Sequence, residues 1–322
     1  MKSNKVLAAL IFIGLIISIR SGWSEVIEVL SELNFSTILL LIILQFITTV
    51  LISLQWQSLF EFSSLDTPDF STILEINFAA TFIESITPSS KLGGESAKVY
   101  LFNNLTNNKV SEVVAAVTIQ KAATFIPFLI ISLSLLTYWP YSYSEFISFN
   151  FNISGIYYLP IILIGIFILF KFLIRNSFIE NKLFSLKKFL IDIVKAIREI
   201  LTFSRFLYLA IFALAFWLLY PVKTFILSNH LGFGIGFLPI VGATFLAYLV
   251  GTLPLTPGGL GSFEATFAII LSQQSITFAE GLTIAILLRL ITFWFPLILS
   301  ALVSIRLTSK LNLTSTNSRQ EA

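Results

Sequence analysis

Apolar residues run along this chain in long unbroken blocks, not in the short alternations of a soluble fold. A first stretch, Val6 to Ile19, is followed by five longer ones at approximately 36–58, 110–138, 155–174, 206–228 and 278–305. A hydrocarbon layer of about 30 Å takes roughly 20 helical residues to cross, so these blocks predict six membrane-spanning helices. Two further pieces, 72–104 and 238–273, are apolar at both ends and broken near the middle by Thr-Pro and glycines. That pattern predicts re-entrant hairpins of two half-helices. The expected fold is all-α: a polytopic membrane protein with six spans and two hairpins. Lys2 and Lys5 precede the first stretch as in a secretory signal, but no small-x-small cleavage site follows before Gly22, so a retained first helix is expected.

One segment departs from the pattern. The linker 176–205 is too polar to span, yet it sets Leu183, Leu186, Leu190, Ile193, Val194, Ile197 and Leu201 on one helical stripe, with Lys182, Lys187, Lys188, Lys195 and Arg198 elsewhere. An amphipathic helix of this kind lies on a leaflet and is drawn to anionic headgroups; a docking helix for a partner is the alternative. The polar last residues, 311–322, predict a disordered tail.

Composition agrees with the pattern, since 56% hydrophobic and 11% charged residues over 322 positions exclude an ordinary water-soluble domain. There is no cysteine and only His230 among histidines, which leaves no thiolate or histidine metal site. No metal, cofactor or nucleic-acid partner is expected.

Lysine and arginine fix the orientation, because short translocated loops lose them. An inside N-terminus puts Lys109, the basic stretch Lys171 to Arg205, and Arg306, Lys310 and Arg319 on the cytoplasmic side, while 23–35, 139–154, 229–237 and 274–277 carry no Lys or Arg. Only Arg20 fits poorly. A single crossing by either broken piece would expel the basic linker or the basic tail, so charge favours re-entrance. The expected location is the plasma membrane of a prokaryote, with both termini cytoplasmic.

The broken pieces belong to a duplicated pattern. Thr87, Pro88, Glu95, Lys121, Thr124 and Phe125 are matched by Thr256, Pro257, Glu264, Arg289, Thr292 and Phe293, at an offset of 169 residues that becomes 168. With the topology above the copies are inverted: repeat one is 36–138 and repeat two 206–305, joined by helix 155–174 and the linker within a single domain, 1–310. Inverted repeats with broken helices are the usual setting of a transport site near the bilayer midplane.

Chemistry gathers at the breaks. Pro88 and Pro257 end the descending half-helices, and Gly93, Gly94, Gly258, Gly259 and Gly261 permit positive φ and close approach of another backbone or a ligand. The ascending half-helices then begin at depth with free N–H groups and the positive end of the dipole, an anion-binding geometry. Ionisable residues inside a membrane normally have a partner or a function; here they are Glu84, Lys91, Glu95, Lys98, Lys121, Lys223, Glu264 and Arg289. Each repeat offers one acid in its hairpin and one cation in the next helix, and Lys91 in the first tip corresponds to Leu260 in the second. Two readings of the acids stand together: they bind substrate or protons, or they cap their own half-helices and the cations neutralise them. Lys223 is expected to snorkel to the outer interface, and His230 to be a polar loop residue.

Thr87-Pro-Ser-Ser-Lys-Leu-Gly-Gly-Glu95 and Leu255-Thr-Pro-Gly-Gly-Leu-Gly-Ser-Phe-Glu264 resemble the two signature segments of the lysylphosphatidylglycerol synthase transmembrane-region, or flippase-like domain, family. The resemblance covers nearly the whole chain. In bifunctional members this region precedes a soluble synthase that attaches lysine to phosphatidylglycerol, and the membrane part moves the product between leaflets. What it implies here is translocation without aminoacyl transfer. The expected function is a membrane lipid translocase acting on a phospholipid or polyprenyl-phosphate-linked lipid. Its headgroup would be held by Lys91, Lys121 and Arg289, by backbone donors at Gly93, Gly94, Gly258 and Gly259, and by Glu95 and Glu264. A membrane-embedded lipid- or glycan-modifying enzyme, and a non-catalytic partner of a separately encoded transferase, are the alternatives.

Overall fold

A computed structural model describes residues 33–63, 65–87, 92–138, 177–253, 256–274 and 276–320, and their regular structure is helical throughout. In chain order the helices are α1 (Phe35–Glu61), α2 (Phe70–Ile86), α3 (Leu92–Leu105), α4 (Val110–Tyr138), α5 (Ser177–Ile200), α6 (Phe203–His230), α7 (Phe237–Gly251), α8 (Ser262–Leu271), α9 (Phe278–Arg289) and α10 (Phe295–Gln320). A 3-10 turn occupies Pro257–Gly259, and a π turn, Leu290–Trp294, joins α9 to α10. The expected spans Val6–Ile19 and 155–174, with Pro88, Lys91 and the side chain of Pro257, lie outside the described residues.

Four stretches are long and apolar enough to cross a membrane: Phe35–Glu61, Val110–Leu136, Phe203–His230 and Phe278–Leu307. They coincide with four of the predicted blocks. The helices of the two broken pieces are shorter. At 1.5 Å per residue, α2 with 17 residues and α7 with 15 reach only about 25 and 22 Å, less than the hydrocarbon thickness.

Side-chain oxygens set several helix boundaries. Asp69 caps α2 by accepting from the Thr72 amide at 3.3 Å and the Thr72 hydroxyl at 2.6 Å, and it also accepts from the Ser71 hydroxyl. Those hydroxyls, Ser71 first, hold its carboxyl down at about 2. Thr277 and Glu280 form a reciprocal capping box at the start of α9. At its far end α2 stops at Thr87, directly before Pro88, and the Thr87 hydroxyl donates to the Ile83 carbonyl at 2.8 Å.

Packing repeats itself between the two halves. α1 packs on α2, α2 on α3 and α3 on α4; correspondingly α6 packs on α7, α7 on α8 and α8 on α9. The halves also cross over, with α2 against α10, α7 against α4, and α1 against α6. Polar side chains within these apolar helices find partners inside the protein, as a low-dielectric surrounding demands. Gln55 donates to the Leu209 carbonyl at 2.8 Å and accepts from Gln120 at 2.8 Å, and Asn77 donates to Ser53 at 3.0 Å. Large apolar side chains such as Leu39, Ile43, Ile130, Leu133, Ile211, Ile298 and Leu302 face outward, which suits lipid and not water.

Two of the polar segments differ in detail from the sequence pattern. The predicted stripe of the linker divides: Ile193, Ile197 and Leu201 join Ala196 and Ile200 in packing against the body, whereas Leu190, Ile191 and Val194 are exposed. Residues spaced three and four apart sit on one face, and the four-residue steps from 193 to 197 to 201 put that face against α4. The backbone of α10 continues as helix to Gln320, past residue 311 where composition predicts a disordered tail. No proline or glycine falls between 297 and 320 to stop it.

Candidate functional site

Each break between paired helices brings an acid to a cation on the next helix. In the first, Glu95 lies in the opening turn of α3, where its charge complements the helix dipole. Its Oε1 accepts from Lys121 Nζ at 2.5 Å and from Lys98 Nζ at 3.4 Å. Its Oε2 is buried and has no hydrogen-bond partner among the described residues. Lys121 is the open member of this group, with 36% of its side chain accessible against 12% for Lys98.

The second break is closed. Glu264, in the first turn of α8, accepts from the Gly261 amide at 2.7 Å through Oε2 and from Arg289 Nε at 3.2 Å through Oε1. Arg289 also donates through Nη2 to the Gly258 carbonyl at 2.5 Å, and its guanidinium lies 4.2 Å from the Phe293 ring centre and 5.2 Å from that of Phe263. Only 7% of the Arg289 side chain is accessible. The acid here caps its own helix and is neutralised by one cation, whereas Glu95 is flanked by two lysines. The position equivalent to Lys98 is Phe267, at the same 169-residue offset.

The glycines divide into two kinds. Gly258, Gly259 and Gly261 have φ of 61°, 70° and 82°, the left-handed region where a Cβ is penalised. Gly259 donates its amide to the Thr256 carbonyl at 3.1 Å. Gly93 and Gly94 are instead inside α3 and serve close approach. A Cβ on Gly93 would stand 2.5 Å from Thr87 Oγ1, and one on Gly94 2.9 Å from Glu84 Cβ. Positive φ is thus in use at the second break, and close approach of a neighbouring helix at the first.

Lys223 does not snorkel. It is fully buried, donating to Gln45 Oε1 at 2.6 Å and Thr48 Oγ1 at 3.2 Å, with its Nζ 4.3 Å from the centre of the Tyr220 ring. Tyr220 and Tyr248 pack edge to face at 4.8 Å, Tyr248 meets Phe263 at 4.7 Å, and the Tyr248 and Thr292 hydroxyls are 3.2 Å apart. Lys223 and Arg289 are thus connected through aromatic side chains. His230, expected in a loop, closes α6 and engages α1, through the Asn34 amide at 3.4 Å and the Thr37 hydroxyl at 3.2 Å.

The π turn lies where the two copies fall out of step. Thr124 precedes Pro127 by three residues, but its counterpart Thr292 precedes Pro296 by four. A π turn is how a helix absorbs one extra residue, and Leu290–Trp294 follows directly on Arg289.

The family model of the lysylphosphatidylglycerol synthase TM region matches residues 5–300. A UPF0104 membrane protein of Pyrococcus horikoshii is 23% identical over 311 residues, 89% of this chain and 91% of that one. One from Methanocaldococcus jannaschii is 22% identical over 86% of this chain and 87% of its own length, and another from that organism is 28% identical over 69% and 92%.

Proposed function

Since the chain belongs to the lysylphosphatidylglycerol synthase TM-region family, we propose that it is a membrane lipid translocase, moving a phospholipid or polyprenyl-phosphate-linked lipid between leaflets. In this reading α2–α3 and α7–α8 are re-entrant hairpins entering from opposite faces, and the two packing units are an inverted repeat. Six spans carry them in a prokaryotic plasma membrane, with both termini cytoplasmic. The headgroup sits between the breaks. Lys91, Lys121 and Arg289 supply positive charge, Gly93, Gly94, Gly258 and Gly259 supply backbone donors beside their helix ends, and Glu95 and Glu264 orient the cations or take an amine.

The observation that carries this reading is the first break itself: a cation with 36% of its side chain open beside a carboxylate whose second oxygen is buried and unpartnered. A purely structural pair has no use for either. Lys121 is the more open of the two lysines beside Glu95, and an accessible ammonium suits a phosphate diester. Matched packing of the two units and helices too short to cross alone support alternate access from either face.

The test is reconstitution in liposomes with fluorescent lipids. Glu264→Gln with Arg289→Ala should abolish translocation in a protein that still folds; an unchanged rate counts against this site. A second reading, a membrane partner of a separately encoded transferase, draws on the exposed Leu190, Ile191 and Val194 beside Lys187, Lys195 and Arg198 on α5. Co-purification of a transferase with a chain that moves no lipid would favour it.

A further inference from the structure

The most anomalous charge in the protein is Lys223. A long ammonium side chain is almost never fully buried unless paired with an acid, yet Lys223 is 0% exposed and forms no ion pair among the described residues. Its partners are neutral: an amide oxygen, a hydroxyl and an aromatic face. The elements packed on α6 carry Glu61 on α1, Glu112 and Lys121 on α4, Tyr248 on α7, and Glu280 and Arg289 on α9. None of them pairs with Lys223.

Position gives this charge its meaning. Gln45 and Thr48 are on α1, the first helix of one unit, and Lys223 is on α6, the first helix of the other, so its hydrogen bonds tie the two units where their leading helices meet. As ammonium, Lys223 makes two charge-assisted hydrogen bonds and a cation–π contact. As neutral amine it loses that strength and the cost of an unpaired charge in low dielectric together.

We propose that Lys223 is a proton-binding site, and that its protonation sets how firmly the leading helices of the two units are held together. This rests on the translocase reading, in which the units move against each other. The ligand is a proton, released to water and taken up again only when the α1–α6 contact opens, because the site is sealed in this conformation. Lipid movement is thereby linked to pH at a point separate from the headgroup-binding breaks.

The experiment uses the full chain in phosphatidylcholine vesicles with a trace of fluorescent phosphatidylglycerol, its translocation read by dithionite quenching from mildly acid to mildly alkaline buffer. The wild-type rate is expected to follow one titrating group, by up to about tenfold per pH unit on one limb. Lys223→Arg, always charged, and Lys223→Gln, never charged, should each flatten that profile. Variants that lower the rate but keep the wild-type profile would reduce Lys223 to a tether and overturn the proposal. If the wild type moves no lipid at any pH, the translocase reading fails separately. Proton binding is then decided by NMR of carbon-13 lysine in the wild type, with the Lys223 signal assigned by its loss in either variant. A signal that titrates over that range supports the site; one fixed in the ammonium form overturns it.

Discussion

Lys121 Nζ lies 2.5 Å from Glu95 Oε1, across 26 residues of sequence, while more than a third of the lysine side chain stays open. Its counterpart, Arg289 with Glu264, is enclosed, and the two pairs should respond differently to mutation. Glu95 is mostly enclosed, but Lys98 remains beside it when Lys121 is removed, so the carboxylate keeps a cation. Lys121→Ala should therefore leave the thermal midpoint in detergent nearly unchanged while lowering lipid translocation at least tenfold. A fall in stability matching the loss of transport would make Lys121 a structural residue only.

Arg289→Ala leaves Glu264 buried without its cation, a situation that costs about 3–5 kcal/mol when one partner of a buried pair is removed. Changing both, Glu264→Gln with Arg289→Met, should recover most of that loss. Thermal unfolding of the two single variants and the double variant measures the coupling directly; strictly additive effects would contradict the pairing.

Two glycines of the second break separate backbone strain from collision. Gly261→Ala meets nothing within 4 Å at φ +82°, so it should cost about 1–2 kcal/mol from the left-handed backbone alone. Gly259→Ala has the same strain and places its Cβ 2.7 Å from the Gly251 carbonyl oxygen, which requires α7 to move. The midpoint of Gly259→Ala should be clearly the lower of the two.

Asp69 gives a pH dependence in a residue outside the spans. Its carboxyl is held at about 2 by the Ser71 and Thr72 hydroxyls, below the unfolded value of about 3.9. A depressed acid stabilises the fold above its unfolded value and loses that contribution as pH falls through the folded one. Asp69→Ala should cost about 1 kcal/mol at neutral pH, and the gap to wild type should close between about pH 4 and pH 2. A gap independent of pH over that window would exclude the carboxylate as its source.

Both acid–cation pairs were legible in the sequence because the repeat offset, 169 and then 168 residues, singled out one acid and one cation twice. Helix lengths were legible too, since lipid-facing blocks advertise themselves by composition. Lys223 was not. It sits seven residues before the end of α6, where a lysine bound for the interface and a lysine bound for the interior look alike. What decides between them is Gln45 and Thr48, 178 and 175 residues away. The use of Gly93 and Gly94 stayed open for a similar reason: glycine permits a turn and permits close packing, and only the preceding segment, with Thr87 and Glu84 against them, tells which is in use.

The π turn after Arg289 gives the second unit a degree of freedom that continuous α-helix lacks. An extra residue held in a helix can be handed along the chain, and each step re-aims the one residue it passes by about 100° while the flanking helix keeps its phase. Moving the turn one residue toward the N-terminus would swing Arg289 away from Glu264 while α10 keeps its seat on α2. The second break can then open by rotation of a single side chain's base, with no helix pulled out of its packing.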